Sequence, residues 1–342
     1  FISSSSIMIT RSLTLSFIFF SSFVISHPKD YIIDSDYDHD LCGVSRGKRS
    51  KRHESATDYI DSMQMQVQGG SNAEKGEHPW ATFINFKVPS MDRSEICTGT
   101  LISRRHVVTA AHCIWTKEVE NSFSGFHFCA NNSFYSPIDI MKHSTVHYGG
   151  LCIQEGKEGC TKEMVMRRAR ISKMTIFPFF EGGCRSGSDL LLLTLNREIR
   201  DVPHACLLHL HGSNVKRNTK FTTFGFGADA IKGLDHHNRL QTISLGLKLD
   251  NCAETSNNVS PDILCYRTRH TETICRGDSG AGLMSRIDKR QYLIGLLSFG
   301  GSCETKKESD QSFTDIRLFS ATIDKELKTI PPYPTYVYSP PN

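Results

Sequence analysis

The chain lacks several features that would assign it to a class at once. Its 342 residues carry 40 lysines and arginines against 36 aspartates and glutamates, and a net charge of +4 is too small to predict a nucleic-acid-binding protein. No internal repeat is evident, and a composition of 38% hydrophobic and 22% charged residues excludes a fibrous or wholly disordered protein. The sequence therefore predicts a globular protein with one large domain or two small ones.

Cysteine, in contrast, is abundant. Twelve cysteines, widely spread along the chain, predict paired disulfides and an oxidising compartment. Residues 1–26 follow the order of a secretory signal peptide, with Arg11 ahead of an apolar run from Leu13 to Ile25. This run is shorter than the roughly 20 residues that a membrane span needs, and no other segment comes close. We therefore expect a secreted, extracellular protein with no membrane span.

The segment 27–66 differs in character from the rest of the chain. It has few apolar residues, an acidic stretch, a single cysteine, Cys42, and a basic run at 46–52 (RGKRSKR). We interpret it as a pro-segment with basic processing sites, which implies a convertase-type processing enzyme as a partner; a solvated linker is the alternative. At the other end, residues 331–342 contain five prolines and predict an extended tail.

Short β-type runs broken by turn residues fill the chain from Val67 to Ile316. Their aromatic and β-branched content predicts a mostly antiparallel, closed β architecture. Examples of these runs are 80–86, 98–102, 106–109, 221–226 and 292–299. The helical spacing of apolar residues over Arg317–Lys328 predicts one C-terminal amphipathic helix.

Two motifs carry the chemistry. Residues 107–113 (VVTAAHC) place His112 at the end of an apolar strand, and residues 277–280 (GDSG) place Ser279 in a glycine-rich loop. Either motif alone is usually structural. Together, in this order and flanked by cysteines, they resemble the chymotrypsin/trypsin family of serine proteases over Val67–Ile316. The resemblance implies an all-β fold of two six-stranded antiparallel Greek-key barrels with a C-terminal helix, here in a protease domain spanning 67–330.

The same resemblance implies a catalytic triad. Its third member should be an aspartate just before an apolar strand, and Asp189, which precedes four leucines, fits this position. His112 would take the proton of the Ser279 hydroxyl, and Asp189 would orient the imidazole. The backbone N–H groups of Gly277 and Ser279 would form the oxyanion hole. The order His, Asp, Ser along the chain is that of chymotrypsin.

Further positions follow from the resemblance. Ser298, Phe299 and Gly300 match the strand that pairs with the substrate, and the turn 224–227 matches the one that opens the second barrel. Phe221 and Ser285 occupy the two sites of one family disulfide that is missing here. The implied disulfides are Cys97–Cys113, Cys252–Cys265, Cys275–Cys303 and, for the leader, Cys42–Cys206.

Four cysteines remain outside these pairs, and they stand at positions 129, 152, 160 and 184. All of them lie between His112 and Asp189, where the interval is longer than is usual in the family. We expect a cysteine-stapled insertion at about 120–186 in the first barrel, with three pairings open. Its surface, from Ser122 to Arg185, is a candidate for protein recognition that narrows substrate choice.

Activation is where the sequence departs from the family. There, a cut after a basic residue frees an α-amino group that pairs with the aspartate beside the serine, and the matching residues here are Val67 and Asp278. Gln66 precedes Val67, and Gln68 is unusual for a segment that becomes buried. A catalytically silent, zymogen-locked homologue that acts as a secreted binding or regulatory protein is therefore the alternative to an active endopeptidase.

Specificity has two readings. Thr273 stands where trypsin-like enzymes carry a negative charge, and Gly300 leaves the pocket mouth open, so we favour an apolar or aromatic residue at P1, the substrate residue whose carbonyl is attacked. The opposite wall falls near Ser309, Asp310 and Gln311, and an inward-pointing Asp310 would select a basic side chain instead.

The expected partners are a protein or peptide substrate and protease inhibitors. No cofactor is expected, and the absence of Cys-x-x-Cys and His-Glu-x-x-His motifs makes a metal site unlikely. Asn131 and Asn258 begin glycosylation sequons, which have meaning because secretion is argued independently.

Overall fold

A computed structural model describes most of the chain within the compact unit Asp34–Asn342. The described residues are 37–45, 70–90, 94–116, 134–180, 187–211, 220–229, 233–249, 260–268, 274–300, 309–328 and 335–338. Several predicted features lie outside them: the signal peptide, the basic run 46–52, Val67, Thr273, the sequons at Asn131 and Asn258, and the cysteines at 129, 184, 252 and 303. No helix in the described ranges is long and apolar enough to span a membrane.

The C-terminal half forms a closed barrel. Six antiparallel strands pair in a ring, because β11 bonds to both β10 and β12. In chain order the strands are β10 (Phe221–Gly225), β11 (Gln241–Leu249), β12 (Ile263–Thr268), β13 (Gly282–Ile287), β14 (Arg290–Gly300) and β15 (Asp310–Asp315). Two short strands join the ring from outside: β1 (Ser71–Asn72) pairs with β11, and β9 (Cys206–Leu207) pairs in parallel with β14.

The N-terminal half forms a second, eight-stranded sheet. Its strands are β2 (Ala81–Phe86), β3 (Glu95–Leu101), β4 (His106–Thr109), β5 (Thr145–Tyr148), β6 (Arg167–Ala169), β7 (Ile171–Ile176), β8 (Leu191–Leu195) and β16 (Thr335–Tyr338). Their order is β16-β7-β8-β4-β3-β2-β5-β6, so this sheet is a half-barrel with an open path among the described pairings. The mostly β fold class with a C-terminal helix is confirmed, with one closed six-stranded barrel.

Three strands of this sheet, β5, β6 and β7, lie within the segment expected as an insertion. β5 pairs with β2, and β7 pairs with β8, so both are structural strands of the N-terminal half. These strands were not predicted from the sequence, because their apolar runs are short and are separated by a helix and turns. The helix α1 (Pro137–His143) begins at Ser136, whose side chain accepts the Asp139 N–H.

Buried apolar side chains fill both halves. The largest fully buried ones include Trp80 and Phe86 in the N-terminal half and Phe224, Phe226 and Phe313 in the barrel. β4 and β8 are buried along their whole lengths, and valines or leucines fill most of their positions. The predicted neighbours Phe221 and Ser285 lie opposite each other in the β10–β13 register.

The C-terminal helix is confirmed, although it starts later than expected. A 3₁₀ turn covers Ile316–Phe319 and the helix α3 covers Ser320–Leu327; the short helix α2 (Leu208–His211) precedes β10. Glu326 on α3 is buried and forms an ion pair with Lys173 on β7, and it also accepts the Thr175 hydroxyl at 2.9 Å. This buried pair fixes the helix on the N-terminal sheet.

The leader segment 37–45 is packed on the body of the protein. The predicted Cys42–Cys206 disulfide is present. Arg290 Nη1 donates to the carbonyls of His39 and Cys42 at 2.7 and 2.9 Å, and the buried Tyr37 hydroxyl accepts the Leu207 N–H at 3.1 Å. The segment is thus held by a covalent bond and by hydrogen bonds along its length.

The remaining cysteines are resolved in part. The Cys97–Cys113 disulfide is present as predicted, and Cys152 pairs with Cys160, one of the pairings that the sequence left open. Cys265 and Cys275 are disulfide-bonded, while their predicted partners lie outside the described ranges. None of the described cysteines is free.

Candidate active site

His112 stands at the end of a fully buried strand. β4 stops at Thr109, and the chain turns through a short 3₁₀ helix over Ala111–Ile114. The Cys97–Cys113 disulfide ties this turn to β3. The histidine is 8% exposed, so most of its surface is covered by the surrounding residues.

Asp189 lies beside His112 because of strand register. β8 pairs with β4 so that Leu191 is opposite Thr109, which places Asp189, two residues before β8, next to the turn after β4. Asp189 Oδ1 accepts the His112 backbone N–H at 2.9 Å, and Oδ2 accepts the His112 Nδ1–H at 2.7 Å. The Ser298 hydroxyl adds a hydrogen bond to Oδ2 at 2.5 Å.

The Asp189 carboxyl is fully buried and ionised. Burial by itself raises its pKa, but the charge of His112 and the hydrogen bonds from His112 and Ser298 outweigh this and hold the pKa below its usual value. An ionised carboxylate only accepts hydrogen bonds, so Nδ1 of His112 must carry the proton that it donates to Asp189. In the neutral form of the ring, Nε2 is then left with a lone pair.

Ser279 comes from the other half of the molecule. Gly280 after it has φ +81°, and a Cβ there would overlap Thr109 Oγ1 and the Thr98 carbonyl. Glycine therefore lets this loop pack directly on β3 and β4, where the Thr98 N–H donates to the Ser279 carbonyl at 2.9 Å. As a result, Ser279 Oγ lies 2.8 Å from His112 Nε2.

The three predicted triad residues thus form one hydrogen-bonded row. The distances are 2.7 Å from Asp189 Oδ2 to His112 Nδ1 and 2.8 Å from His112 Nε2 to Ser279 Oγ. With Nδ1 protonated, Nε2 is the atom that can accept the serine proton. The arrangement has the geometry of a nucleophile next to a general base that a third group orients.

The peptide between Arg276 and Gly277 is fixed from one side. The Ala228 N–H donates to the Arg276 carbonyl at 2.7 Å. Because the C=O and N–H of a trans peptide point in opposite directions, the Gly277 N–H is directed away from Ala228. The Gly277 carbonyl in turn accepts the Thr98 hydroxyl at 2.9 Å, and its φ of +97° is one that glycine adopts readily.

Comparisons with known proteins bear on this site. The family model described as Trypsin matches residues 67–147 and 158–321. The chain belongs to the trypsin family. The "Trypsin-like protease try-5" of Caenorhabditis elegans is 31% identical over 285 residues, which are 78% of this chain and 84% of that protein.

Other relatives of this trypsin-family chain are more distant. "CLIP domain-containing serine protease B9" of Anopheles gambiae is 26% identical over 253 residues, 71% of this chain and 58% of that protein. "Coagulation factor IX" of Oryctolagus cuniculus is 24% identical over 275 residues, 76% of this chain and 83% of that protein. Residues 148–157, which include the first six residues of the loop closed by Cys152–Cys160, fall outside the trypsin-family match.

Asp278 is the second buried carboxyl of this trypsin-family site. Its Oδ1 accepts the Gly227 N–H at 2.7 Å and its Oδ2 accepts the Cys275 N–H at 2.9 Å. A Cβ at Gly225 or Gly227 would overlap its carboxylate, so both glycines are needed for this close approach. Burial raises its pKa to about 7, and among the described residues no basic group pairs with it. The predicted partner, Val67, lies outside those residues.

An aromatic cluster borders the histidine. The Phe299 ring stacks on the His112 ring with 5.1 Å between their centroids, as expected for the aromatic wall. The centroid of the Trp115 ring lies 5.2 Å from that of His112, and the centroid of the Phe179 ring lies 6.4 Å from that of Phe299. Sequence reasoning missed Trp115 and Phe179. Trp115 follows the histidine motif closely enough to have been noticed, but Phe179 comes from a turn after β7 that no motif marks.

Of the residues expected around the substrate pocket, one group lies beside the triad and Asp310 is paired with an arginine. Ser298, Phe299 and Gly300 lie at the end of β14 beside the site, and the Ser298–Asp189 hydrogen bond places this strand. Asp310 at the start of β15 is buried, and its Oδ1 accepts the Arg267 Nε–H at 2.8 Å.

Proposed function

We propose that the protein is a secreted serine endopeptidase that hydrolyses peptide bonds through Ser279, His112 and Asp189. The observation that carries the proposal is the position of His112 Nε2, which is 2.8 Å from Ser279 Oγ while Nδ1 is held 2.7 Å from Asp189. A serine hydroxyl is a weak nucleophile at neutral pH, and an oriented imidazole within hydrogen-bond reach is what activates it.

The reaction that this geometry supports has two halves. Ser279 Oγ attacks the peptide carbonyl while its proton passes to His112 Nε2, and the Gly277 and Ser279 N–H groups hold the oxyanion. His112 then gives the proton to the leaving amine as the C–N bond breaks and the acyl-enzyme forms. Water, deprotonated by His112, releases the acid and restores the serine.

The enzyme is made as a zymogen in this proposal. Asp278 has no basic partner among the described residues, and its pKa is raised to about 7 by burial, so a cation would be favoured beside it. A cut before Val67 would supply an α-amino group of the required charge. The convertase-type sites at 46–52 lie upstream of that position, so a further cut is needed to produce this terminus.

The proposed P1 preference is apolar or aromatic. Thr273 is neutral, and Asp310, the alternative acidic selector, is already engaged by the Arg267 guanidinium. A carboxylate that is paired within the protein attracts a basic substrate less strongly than a free one. Secretion and glycosylation at Asn131 and Asn258 remain part of the proposal, and the disulfides favour an oxidising compartment.

A catalytically silent homologue is the second candidate. Gln66 and Gln68 flank the position where activation would occur, and neither suits a conventional activating cut followed by burial. Such a protein would keep the fold and act as a secreted binding or regulatory protein.

One experiment separates the two candidates. Residues 62–66 are replaced by four aspartates and a lysine so that enteropeptidase cuts before Val67, and the cut is verified by N-terminal sequencing. The product is treated with a fluorophosphonate probe and the adduct is mapped, with Ser279→Ala as the control. A label on Ser279 that Ser279→Ala abolishes supports the endopeptidase, and hydrolysis of a peptide library then tests it directly. No label after a verified cut supports the silent homologue.

A further inference from the structure

Asp189 follows two residues with positive φ angles. Gly187 has φ +89°, and Ser188 has φ +61°, which lies in the left-handed region that favours glycine. A serine held there carries backbone strain, and such strain persists only where the surrounding structure imposes it. The Leu190 N–H also donates to the Ser188 carbonyl at 2.7 Å, so the chain bends tightly around Asp189. The direction of the Asp189 side chain therefore depends on how this turn is held.

The group that holds the turn comes from the other half of the molecule. Asp262 stands just before β12 of the barrel, and its Oδ2 accepts the Ser188 N–H at 2.6 Å. A Cβ at Gly187 would overlap Asp262 Oδ1, so the glycine lets the carboxylate approach the backbone of the turn. The strained residue next to Asp189 is therefore bonded directly to a carboxylate of the barrel.

Asp262 is itself firmly placed. It is 5% exposed, and its backbone carbonyl accepts the N–H of Asp315, the last residue of β15, at 2.6 Å. The Ile263 N–H donates to the Ser260 carbonyl at 3.1 Å and closes a turn around Asp262. A group with a fixed backbone and little room to move can hold another segment in a defined conformation.

Two bonds from the barrel reach the Asp189 turn, and they differ in what they control. The Thr314 hydroxyl donates to the Asp189 carbonyl at 3.3 Å and ties the two halves together. The Asp262 bond is made to Ser188, whose φ sets the direction in which the chain enters Asp189. Loss of this acceptor would allow Ser188 to relax towards negative φ, and that change would move the Asp189 carboxyl relative to His112 Nδ1.

We infer that Asp262 is a positioning residue for the proposed protease: through the Ser188 N–H it fixes the backbone that directs Asp189 at His112. This rests on the proposed endopeptidase function. Asp262 acts through Asp189, which orients the imidazole during proton transfer. Its removal should therefore change the chemical step and leave substrate binding nearly unaltered.

The test compares Asp262→Ala with Asp262→Asn in the enzyme cut before Val67. Asp262→Ala should lower kcat by about 10- to 100-fold and leave KM within about threefold, as a small misplacement of a catalytic group does. The rate at which a fluorophosphonate labels Ser279 should fall by a similar factor, because labelling needs the same activated serine. Asp262→Asn should stay within about threefold of wild type in kcat, because its side-chain oxygen still accepts an N–H, although more weakly than a carboxylate does.

Asp38→Ala is the matched control. The Asp38 carboxylate also accepts backbone N–H groups, those of Asp40 and Leu41, but it lies in the leader segment. This variant should keep the kcat and KM of wild type. Thermal unfolding of each variant shows whether the fold is retained, and Asp262→Leu, which fills the space without an acceptor, replaces Asp262→Ala if that variant does not fold.

Four results would overturn the inference: wild-type kcat in folded Asp262→Ala, a loss confined to KM, an equal loss of kcat in Asp262→Ala and Asp262→Asn, or failure of both Asp262→Ala and Asp262→Leu to fold. In each of them wild type is still labelled at Ser279, so the proposed function stands. Wild type that is not labelled after a verified cut defeats the proposed function, and this inference with it.

Discussion

Ala228 contributes a single backbone N–H to the site, and that N–H holds the Arg276 carbonyl at 2.7 Å. Without it, the Arg276–Gly277 peptide loses the contact that keeps the Gly277 N–H pointing the other way. A peptide can rotate as a unit by compensating changes in the two flanking dihedrals, since the peptide plane itself stays rigid. Ala228 is therefore a positioning residue for the proposed oxyanion hole, and it acts through its backbone N–H and not through its side chain.

We expect Ala228→Pro to lower activity, because proline has no N–H to donate. Loss of one oxyanion donor typically costs about 10²–10³ in kcat, and KM should change little. Steady-state kinetics of the processed enzyme measure both. Ala228→Gly keeps the N–H and is the matched control, with thermal unfolding of both variants to show that the fold is retained. Full activity of folded Ala228→Pro would contradict the role assigned to this N–H.

Asp278 predicts a pH dependence that Asp278→Asn should remove. Burial raises the pKa of its carboxyl to about 7, so between about pH 4 and 7 the folded chain holds a proton that the unfolded chain has lost. Stability from this group is therefore present at low pH and is lost as the pH rises to 7. Urea denaturation of the unprocessed chain at pH 4.5 and pH 8 should show wild type losing more stability than Asp278→Asn over this interval.

The control for this comparison is Asp139→Asn, which changes a partly exposed carboxyl in the first turn of α1. Its difference from wild type should be the same at both pH values. A constant difference for Asp278→Asn as well would show that Asp278 is not protonated in the unprocessed fold.

At the same scale, sequence reasoning found some residues and missed others for a definite reason. His112, Asp189 and Ser279 stand in recognisable local strings, and the structure brings them together. Ala228 acts through its backbone, so its side chain leaves no signal in the sequence. Asp262 and Ser188 are 74 positions apart, and their contact depends on how the two halves of the molecule pack, which the sequence does not reveal.

Among the elements, the loop closed by Cys152–Cys160 forms several hydrogen bonds with one buried side chain. It surrounds Asn238, whose Nδ2 donates to the carbonyls of Gln154 and Lys157 at 2.9 and 3.1 Å, while its Oδ1 accepts the Gln154 N–H at 2.9 Å. Asn238 is buried, and it follows the turn that carries Gly227 and Ala228. The loop therefore stabilises the stretch that includes Gly227 and Ala228, whose N–H groups bond to Asp278 and to the Arg276 carbonyl.

Asn238→Ala should destabilise the protein by about 2–4 kcal/mol, because the loop carbonyls and N–H that it serves lose their partners together. Amide hydrogen exchange at Ala228 and His237 should accelerate, as local opening becomes easier. Asn196→Ala is the control, since this exposed asparagine accepts one hydrogen bond, from the Arg170 N–H at 3.1 Å. An unchanged exchange rate at Ala228 in Asn238→Ala would show that the loop does not stabilise the Ala228 stretch of the active site.

The elements also show where pattern reading fails. Strands with strong apolar runs, such as β4 and β14, were predicted with nearly their observed bounds. β6 has three residues, two of them exposed arginines, and carries no such pattern. Its place in the sheet is set by pairing with β5, a contact between segments that the sequence cannot specify alone.

For the molecule as a whole, four buried histidines predict acid sensitivity. Burial lowers the pKa of His78 and His106 to about 3 and that of His147 and His204 to about 4. Below about pH 6.5 the unfolded chain protonates these rings while the folded chain does not. Stability should therefore fall as the pH drops from about 6.5 towards 4, by up to about 2 kcal/mol for each histidine at pH 5.

Chemical denaturation at pH 7.5 and pH 5 measures this fall. In His147→Phe the fall should be smaller, because one titrating ring is replaced by an aromatic side chain that can still pack against Phe83. His209→Phe, at a partly exposed position, is the matched control. Equal falls in wild type and His147→Phe would mean that His147 is protonated in the folded protein.

The global architecture was the most predictable level, since short β runs and two family motifs suffice to indicate a trypsin-like fold. The open edge of the N-terminal sheet was not predictable, because barrel closure depends on long-range pairing.

The anchoring of the leader segment also affects how processing is detected. Tyr37 and Cys42 are fastened to the body of the protein, the latter by its bond to Cys206. A chain cut at any point between Ser45 and Gly70 remains one covalent particle. On an electrophoresis gel it should migrate as a single band without a thiol reagent and as two bands with one, so a gel reveals maturation only in reduced samples.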